Sequence, residues 1–179
     1  MEGSQARQPI GRHARHLGLL SLVACLLALG GCRKEAPQGS SGLVGQPEPS
    51  WSYVTPEGKP IASADFKGRT HMVVFWATWC GPCRQEVEEL KAVRTQFSKD
   101  SLEIVGLSVD ESVSPVPVSM QELKIDYPVA VGAFPLFDSL HFDGIPRSYL
   151  VDAKGIVREE FDGLTDRGQL AAAVARALK

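Results

Sequence analysis

The sequence predicts an α/β fold with a mixed sheet flanked by helices, and three observations carry that expectation. His71-Met72-Val73-Val74-Phe75-Trp76 is an unbroken apolar run of strand length, the pattern of a strand covered on both faces. After Cys80-Gly81-Pro82 the period changes, and Val87, Leu90, Val93 and Phe97 recur at helical spacing. Leu102 to Val109 is a second apolar strand, which completes a strand–helix–strand unit.

The remaining elements follow in order. Trp51, Tyr53 and Val54 alternate with polar residues as a short edge strand, and Thr55-Pro56-Glu57-Gly58-Lys59-Pro60 is turn chemistry. Pro115 and Pro117 introduce a short helix with Val116, Met120 and Leu123 on one side, and Tyr127 to Val131 reads as a small extra strand. Arg147 to Val151 and Ile156 to Phe161 are strands joined by the hairpin turn Asp152-Ala153-Lys154-Gly155. Leu170, Val174, Ala177 and Leu178 mark a closing helix. A strand–helix–strand unit followed by a hairpin and a last helix requires a sheet of mixed direction.

Composition bounds the function classes. The 179 residues are 44% hydrophobic and 22% charged with a formal net charge of -2, ordinary values for a globular protein. No basic field exists to attract nucleic acid. No Gly-x-Gly-x-x-Gly follows a strand, so neither a nicotinamide site nor any other cofactor is expected.

The N-terminus reads as an export signal. Arg7, Arg12 and Arg15 precede an apolar run from Leu17 to Leu29, which at about 13 residues is shorter than a membrane-spanning helix needs. Leu29-Gly30-Gly31-Cys32 resembles the cleavage site of a bacterial lipoprotein, which implies removal of residues 1–31 and lipid on Cys32. A plain secretory signal with a chance cysteine is the other reading. Residues 32–50 are rich in Gly, Ser, Pro and Gln and read as a lipidated flexible tether, leaving 51–179 as the folded domain. The expected location is extracytoplasmic, on a bacterial membrane and facing the periplasm where there is one.

With Cys25 discarded and Cys32 lipidated, two thiols remain, Cys80 and Cys83, and a single close pair is more suited to react than to brace. Trp79-Cys80-Gly81-Pro82-Cys83 follows a strand and opens a helix. The first helical turn has unpaired N–H groups and a partial positive charge, so a Cys80 thiolate is stabilised there. Pro82 loses nothing in a first turn, and Gly81 lets a partner chain approach the sulfur. Cys83, almost one turn on, can resolve a mixed disulfide. A zinc site would need further ligands at ligand-like spacing, and His71 and His141 do not supply it, so no metal is expected. Covalent haem would need histidine where Arg84 stands. A merely structural disulfide across so small a loop would stabilise little.

Phe75 to Arg84, with Glu86 and the later Gly144-Ile145-Pro146, resembles the TlpA/ResA-type branch of the thioredoxin superfamily over roughly residues 45–179. The resemblance implies a thioredoxin fold with an N-terminal extension and a central insertion, here roughly Glu111 to Phe142. It implies an exported, membrane-anchored thiol–disulfide oxidoreductase, in many relatives serving cytochrome c maturation. Pro146 matches the family's cis-proline facing the cysteine pair, and Ile145 before it would offer backbone groups to a substrate chain. Glu86 matches a glutamate near the active site, with a proton shuttle for Cys83 as one reading and a solvated helix glutamate as the other.

Three positions depart from the pattern. Val74 stands where thioredoxin has a buried aspartate, Glu88 where relatives have a helix-kinking proline, and Arg147 where a small hydroxyl residue follows the cis-proline. A straighter helix is expected at Glu88. Arg147 is expected either to act on the cysteine pair and select acidic partners or to point into solvent. The leading function is reduction of disulfides on specific exported proteins, with electrons from a membrane thiol donor. Disulfide oxidation or isomerisation, a thiol peroxidase and a non-catalytic redox-gated binding module are the alternatives.

Overall fold

A computed structural model describes residues 41–179; residues 1–31, Cys32 and the tether as far as residue 40 lie outside the described residues. The central sheet grows outward from the apolar run at 71–76. That run is β3 (His71–Trp76), and all six of its residues are buried. β4 (Glu103–Ser108) lies parallel beside it, with His71 opposite Glu103 and Trp76 opposite Ser108. β6 (Arg147–Val151) runs antiparallel on its other side, and β7 (Val157–Asp162) pairs antiparallel with β6. The insertion contributes β5 (Val129–Ala130), parallel to β4, so the sheet order is β5-β4-β3-β6-β7. β1 (Ser52–Val54) and β2 (Pro60–Ala62) form a separate hairpin whose turn is the Pro/Gly segment expected there, and a 3-10 turn, Ser63–Phe66, follows it.

Helices cover the sheet. α1 (Gly81–Gln96) packs against α4 (Arg167–Ala177), and the two are also joined through Glu89, which accepts from the Arg167 backbone and side chain at 3.0 and 2.9 Å. α2 (Pro115–Glu122) is the short helix expected from its prolines. α3 (Phe134–Ser139) was not foreseen: it has six residues, too few to show a period, and Pro135 in its first turn is its one sequence signal. Its Phe137 packs edge-on against Phe75 of β3 at 5.7 Å, and Phe142 meets Phe75 at 5.4 Å. Ala173, rather than Leu178, completes the buried stripe of α4, and Leu178 is exposed beyond the helix end.

The tether expectation fails over residues 41–50. This segment lies along the free edge of β7: Gly45 donates to Val157 O at 2.8 Å, Val157 donates to Gln46 O at 2.9 Å, and Glu48 donates to Gly155 O at 2.9 Å. The Glu160 carboxylate also accepts from Ser41 Oγ at 2.7 Å and the Leu43 amide at 2.9 Å. These contacts use backbone groups, which a Gly/Pro-rich composition supplies as readily as any other. At the opposite edge Val131 donates to Val54 O at 2.9 Å, so each side of the sheet is partly closed by a segment preceding β3.

Arg147 neither points into solvent nor stands as a free charge beside the cysteines. Its side chain is buried on the face that carries Phe75, with the guanidinium 4.8 Å above the Phe142 ring. Asp162 lies directly opposite on β7 at 2.8 Å and Glu160 at 3.4 Å. Residues 160 and 162 project from the same face of β7, so the strand period itself delivers both carboxylates to one cation. Because Glu160 is also buried and holds the 41–43 segment, Glu160→Ala should lower the urea-derived unfolding free energy by about 2–3 kcal/mol. Asp162→Ala, which removes a solvent-screened partner, should cost about 1 kcal/mol or less. Equal losses would contradict this account of the ion pair.

Candidate active site

The site begins where β3 stops. Ala77, Thr78 and Trp79 carry the chain over the carboxyl end of the parallel strands, and Cys80 is the N-cap of α1 in extended conformation. The Cys80 amide donates to Ala77 O at 3.1 Å, and the Cys80 carbonyl accepts from Arg84 N at 3.2 Å. Cys80 Sγ itself accepts from the Cys83 amide at 3.1 Å, so the sulfur fills the capping role usually taken by a side-chain oxygen. Pro82 occupies the first turn, as its missing N–H allows. Cys80 and Cys83 are joined by a disulfide, and both are nearly buried, at 5% and 2% exposure. The neighbouring Trp79 is 71% exposed. A Cβ added at Gly81 would meet nothing within 4 Å, so no other side chain covers that position of the first turn.

Ile145 and Pro146 meet Cys80 here, and Glu86 lies three positions after Cys83 on α1. The Ile145–Pro146 peptide is cis, and Ile145 O lies 3.7 Å from Cys80 Sγ. Glu86 is on the buried side of α1 with Cys83, Val87 and Leu90. It is 1% exposed, which removes the reading of a solvated helix glutamate. One oxygen accepts from the Thr165 amide at 3.3 Å, and the other has no hydrogen-bond partner among the described residues. Burial pushes its carboxyl up to about 7, and the Thr165 N–H offsets only part of that shift. Val74 is buried between Gly106 and Ser148, so β3 supplies no carboxylate. Glu88 is exposed and paired with Lys91 at 3.0 Å, and α1 runs through it without interruption.

Asp110 is a site residue that the sequence did not single out. It follows β4, and its carboxylate accepts from Thr78 Oγ1 at 2.7 Å, Thr78 N at 3.1 Å and Ser108 Oγ at 2.8 Å. It therefore pins the loop that presents Trp79 and Cys80. The available signal was position: it stands at the carboxyl end of a strand parallel to β3, where sites in such sheets are built. A cleft of about 770 Å³ is lined by Trp79 and Ile145, the residues that flank Cys80 in the chain and in space, and by Asp110, Phe134 and Phe137. Among the described residues, no group of three or more acidic, histidine or cysteine side chains could hold a metal ion.

The AhpC/TSA family model matches residues 44–160. The thiol-disulfide oxidoreductase ResA of Bacillus thuringiensis subsp. konkukian is 29% identical over 128 residues, covering 71% of this chain and 74% of its own length. The thiol:disulfide interchange protein DsbE of Pseudomonas aeruginosa is 29% identical over 157 residues, covering 84% and 83%. A crystal structure of a thioredoxin-family thiol:disulfide interchange protein from Chlorobium tepidum superposes with a TM-score of 0.66 at 34% identity, covering 74% of this chain and 96% of that one. The family match, the thioredoxin fold and the cysteine pair at the head of α1 agree: the chain belongs to the AhpC/TSA family and is a TlpA/ResA-type, thioredoxin-like thiol–disulfide oxidoreductase.

Proposed function

We propose that the protein is a membrane-anchored, extracytoplasmic reductant of disulfides on specific exported proteins, with Cys80 as attacking thiolate and Cys83 as resolving thiol. One observation carries the assignment of roles: Cys80 Sγ sits at the N-cap of α1 and accepts the Cys83 N–H, where a thiolate is stabilised by the helix terminus. In the reduced protein, Cys80 attacks one sulfur of the substrate disulfide, forms a mixed disulfide and expels the other substrate sulfur as a thiolate, which takes up a proton. Cys83 then loses its proton and attacks Cys80. The Cys80–Cys83 disulfide forms, and the second substrate sulfur leaves and is protonated. Two electrons pass from the protein to the substrate, and a membrane thiol donor restores the dithiol. The open face at Gly81 and the nearby Ile145 carbonyl support docking of an extended chain beside the sulfurs.

Anchoring through Cys32 and service to cytochrome c maturation belong to the same proposal. The first rests on the lipoprotein-like Leu-Gly-Gly-Cys segment and the second on the ResA resemblance. No helix among the described residues is long and apolar enough to cross a membrane. Metabolic labelling with a fatty acid should mark the wild type and leave Cys32→Ser unmarked. The direction of electron flow is read from the reduction potential of the Cys80/Cys83 pair against glutathione and dithiothreitol buffers. A value at or below about -220 mV is expected for a reductant. A value near about -120 mV would replace this reading with disulfide formation.

Glu86 is proposed to take the Cys83 proton. Its raised carboxyl, one face of α1 with Cys83 and an oxygen without a partner support that role. Between its unfolded range near 4.5 and about 7, the folded state binds the proton and the unfolded state releases it. Stability of the oxidised protein should therefore be full at low pH and fall as pH rises through 7, by on the order of 3 kcal/mol at most. Glu86→Gln keeps an acceptor for Thr165 and removes the titration. Urea midpoints at pH 5 and pH 8 should converge in this variant, with the gain over wild type larger at pH 8 than at pH 5. In the reduced protein the same substitution should lower the Cys83 pKa, because a nearby negative charge is lost. Unchanged thiol titrations and exchange rates would remove Glu86 from the proton path.

A further inference from the structure

Arg147 carries more connections than one ion pair requires, and they converge on the turn that faces Cys80. Residues 143–145 form no hydrogen bond with another backbone group among the described residues, and Asp143 and Gly144 are exposed. That turn still brings Ile145 O to 3.7 Å from Cys80 Sγ. Beyond the packing of the half-buried Ile145 side chain, its place is set from its two ends. At one end the Phe142 ring packs edge-on against Phe75 at 5.4 Å, and the Phe142 amide donates to Phe137 O at 3.4 Å. At the other end Gly163 N donates to Pro146 O at 3.0 Å. The Arg147 side chain reaches both ends. Its guanidinium lies 4.8 Å from the Phe142 ring while it pairs with Asp162 at 2.8 Å and Glu160 at 3.4 Å. One planar group thus closes the turn against β7, a geometry that a lysine ammonium does not reproduce.

Glu160 extends this brace to the segment before β1. Its buried carboxylate accepts from the Ser41 amide at 3.2 Å, Ser41 Oγ at 2.7 Å and the Leu43 amide at 2.9 Å. Three donors hold it where it meets Arg147. We propose that Arg147 is a positioning residue of the exchange reaction: it fixes the Ile145 carbonyl relative to Cys80 for an incoming polypeptide, and Glu160 with residues 41–43 fixes Arg147 in turn. The proposal rests on the thiol–disulfide reading of the Cys80/Cys83 pair. It gives the arginine no part in the electron or proton transfers. Its effect falls on substrates whose backbone can pair with Ile145, because a small disulfide needs only the sulfur. A misplacement of about 1 Å can slow such a positioned reaction by about 100-fold.

The test uses the full chain in nonionic detergent, reduced and freed of reductant. Oxidation of Cys80 and Cys83 is followed by alkylation and peptide mass. Two neutral oxidants are compared: hydroxyethyl disulfide, which has no peptide group, and a short uncharged peptide joined to its copy by one disulfide. The readout is the ratio of the peptide rate constant to the hydroxyethyl disulfide rate constant, which a loss of active protein leaves unchanged. Arg147→Met should lower this ratio about tenfold, and Arg147→Lys should recover only part of it. Glu160→Gln keeps an acceptor for the Leu43 amide and leaves Asp162 on the guanidinium, so it should lower the ratio about threefold. Should Arg147→Met fail to fold, Glu160→Gln decides alone. If both oxidants react with the wild type and the ratio does not move in the variants, the oxidoreductase reading stands and the positioning role falls. If only hydroxyethyl disulfide reacts with the wild type, no polypeptide docks beside Ile145 and the proposal falls. If neither reacts, the reading of the pair falls and the proposal with it.

Discussion

The site depends on one junction, the point at which a strand buried on both faces stops and the first turn of α1 begins. β3 can end there because Trp76 is still covered and still paired with Ser108 of β4. A Cβ at position 106 would come within 3.0 Å of Trp76 Nε1, so the glycine of β4 provides the space in which that indole lies. The loop that follows is short, and its polar groups are taken up by Asp110. What remains free to act is the end of the helix, and Cys80 Sγ occupies it. The sulfur is thus a structural cap in the oxidised protein and the group best placed to become an anion in the reduced one. A residue that serves both purposes links the redox state of the pair to the electrostatics of the first turn of α1.

Contacts at some distance hold the strands around this junction. The segment before β1 runs along β7, and Val54 bridges to Val131 beside β5, so the strands next to the site do not end in bare edges. Arg147 secures β6 to β7 directly after the cis Ile145–Pro146 peptide, and its partner Glu160 also holds residues 41–43. The same carboxylate therefore ties the beginning of the described chain to the strand whose first residue follows the wall of the active site. The guanidinium faces two carboxylates, so the cluster presents no net positive charge to the cysteines.

Much of this was legible in the sequence because it is carried by periodicity and by a short motif. The bounds of β3 follow from a continuous apolar run, those of β6 from Pro146 before it and the hairpin turn after it, and the Cys80–Cys83 pair follows from a helix start after a strand. The burial of Glu86 was also available: Cys83, Glu86, Val87, Leu90 and Val93 share one stripe of α1, and the glutamate falls on it. Other features depend on partners that are distant in sequence. The order of residues 41–50 comes from backbone pairing with β7, which composition does not encode. The fate of Arg147 depends on carboxylates 13 and 15 positions later, brought opposite by the β6–β7 register. Phe134 and Asp143 reach the cleft only because α3, too short to announce itself, folds across Phe75.

The contrast between an apolar residue on the strand and an acid on the helix follows from the same geometry. A carboxylate at position 74 would face Gly106 and Ser148 in the middle of the sheet, inside a core whose backbone donors are committed to the ladder. At position 86 the carboxyl is as deeply buried, but it lies against the turn before α4, where the Thr165 amide points at it. That single donor is enough to make the charged form accessible and too little to make it stable at low pH, which is why burial leaves the group near 7 instead of driving it far higher. A group poised in that range can hold or release a proton without a large change in free energy, the property that the proposed proton path for Cys83 requires. Val74 thus leaves β3 without a titratable group, while Glu86 lies on α1 where one hydrogen bond tunes it.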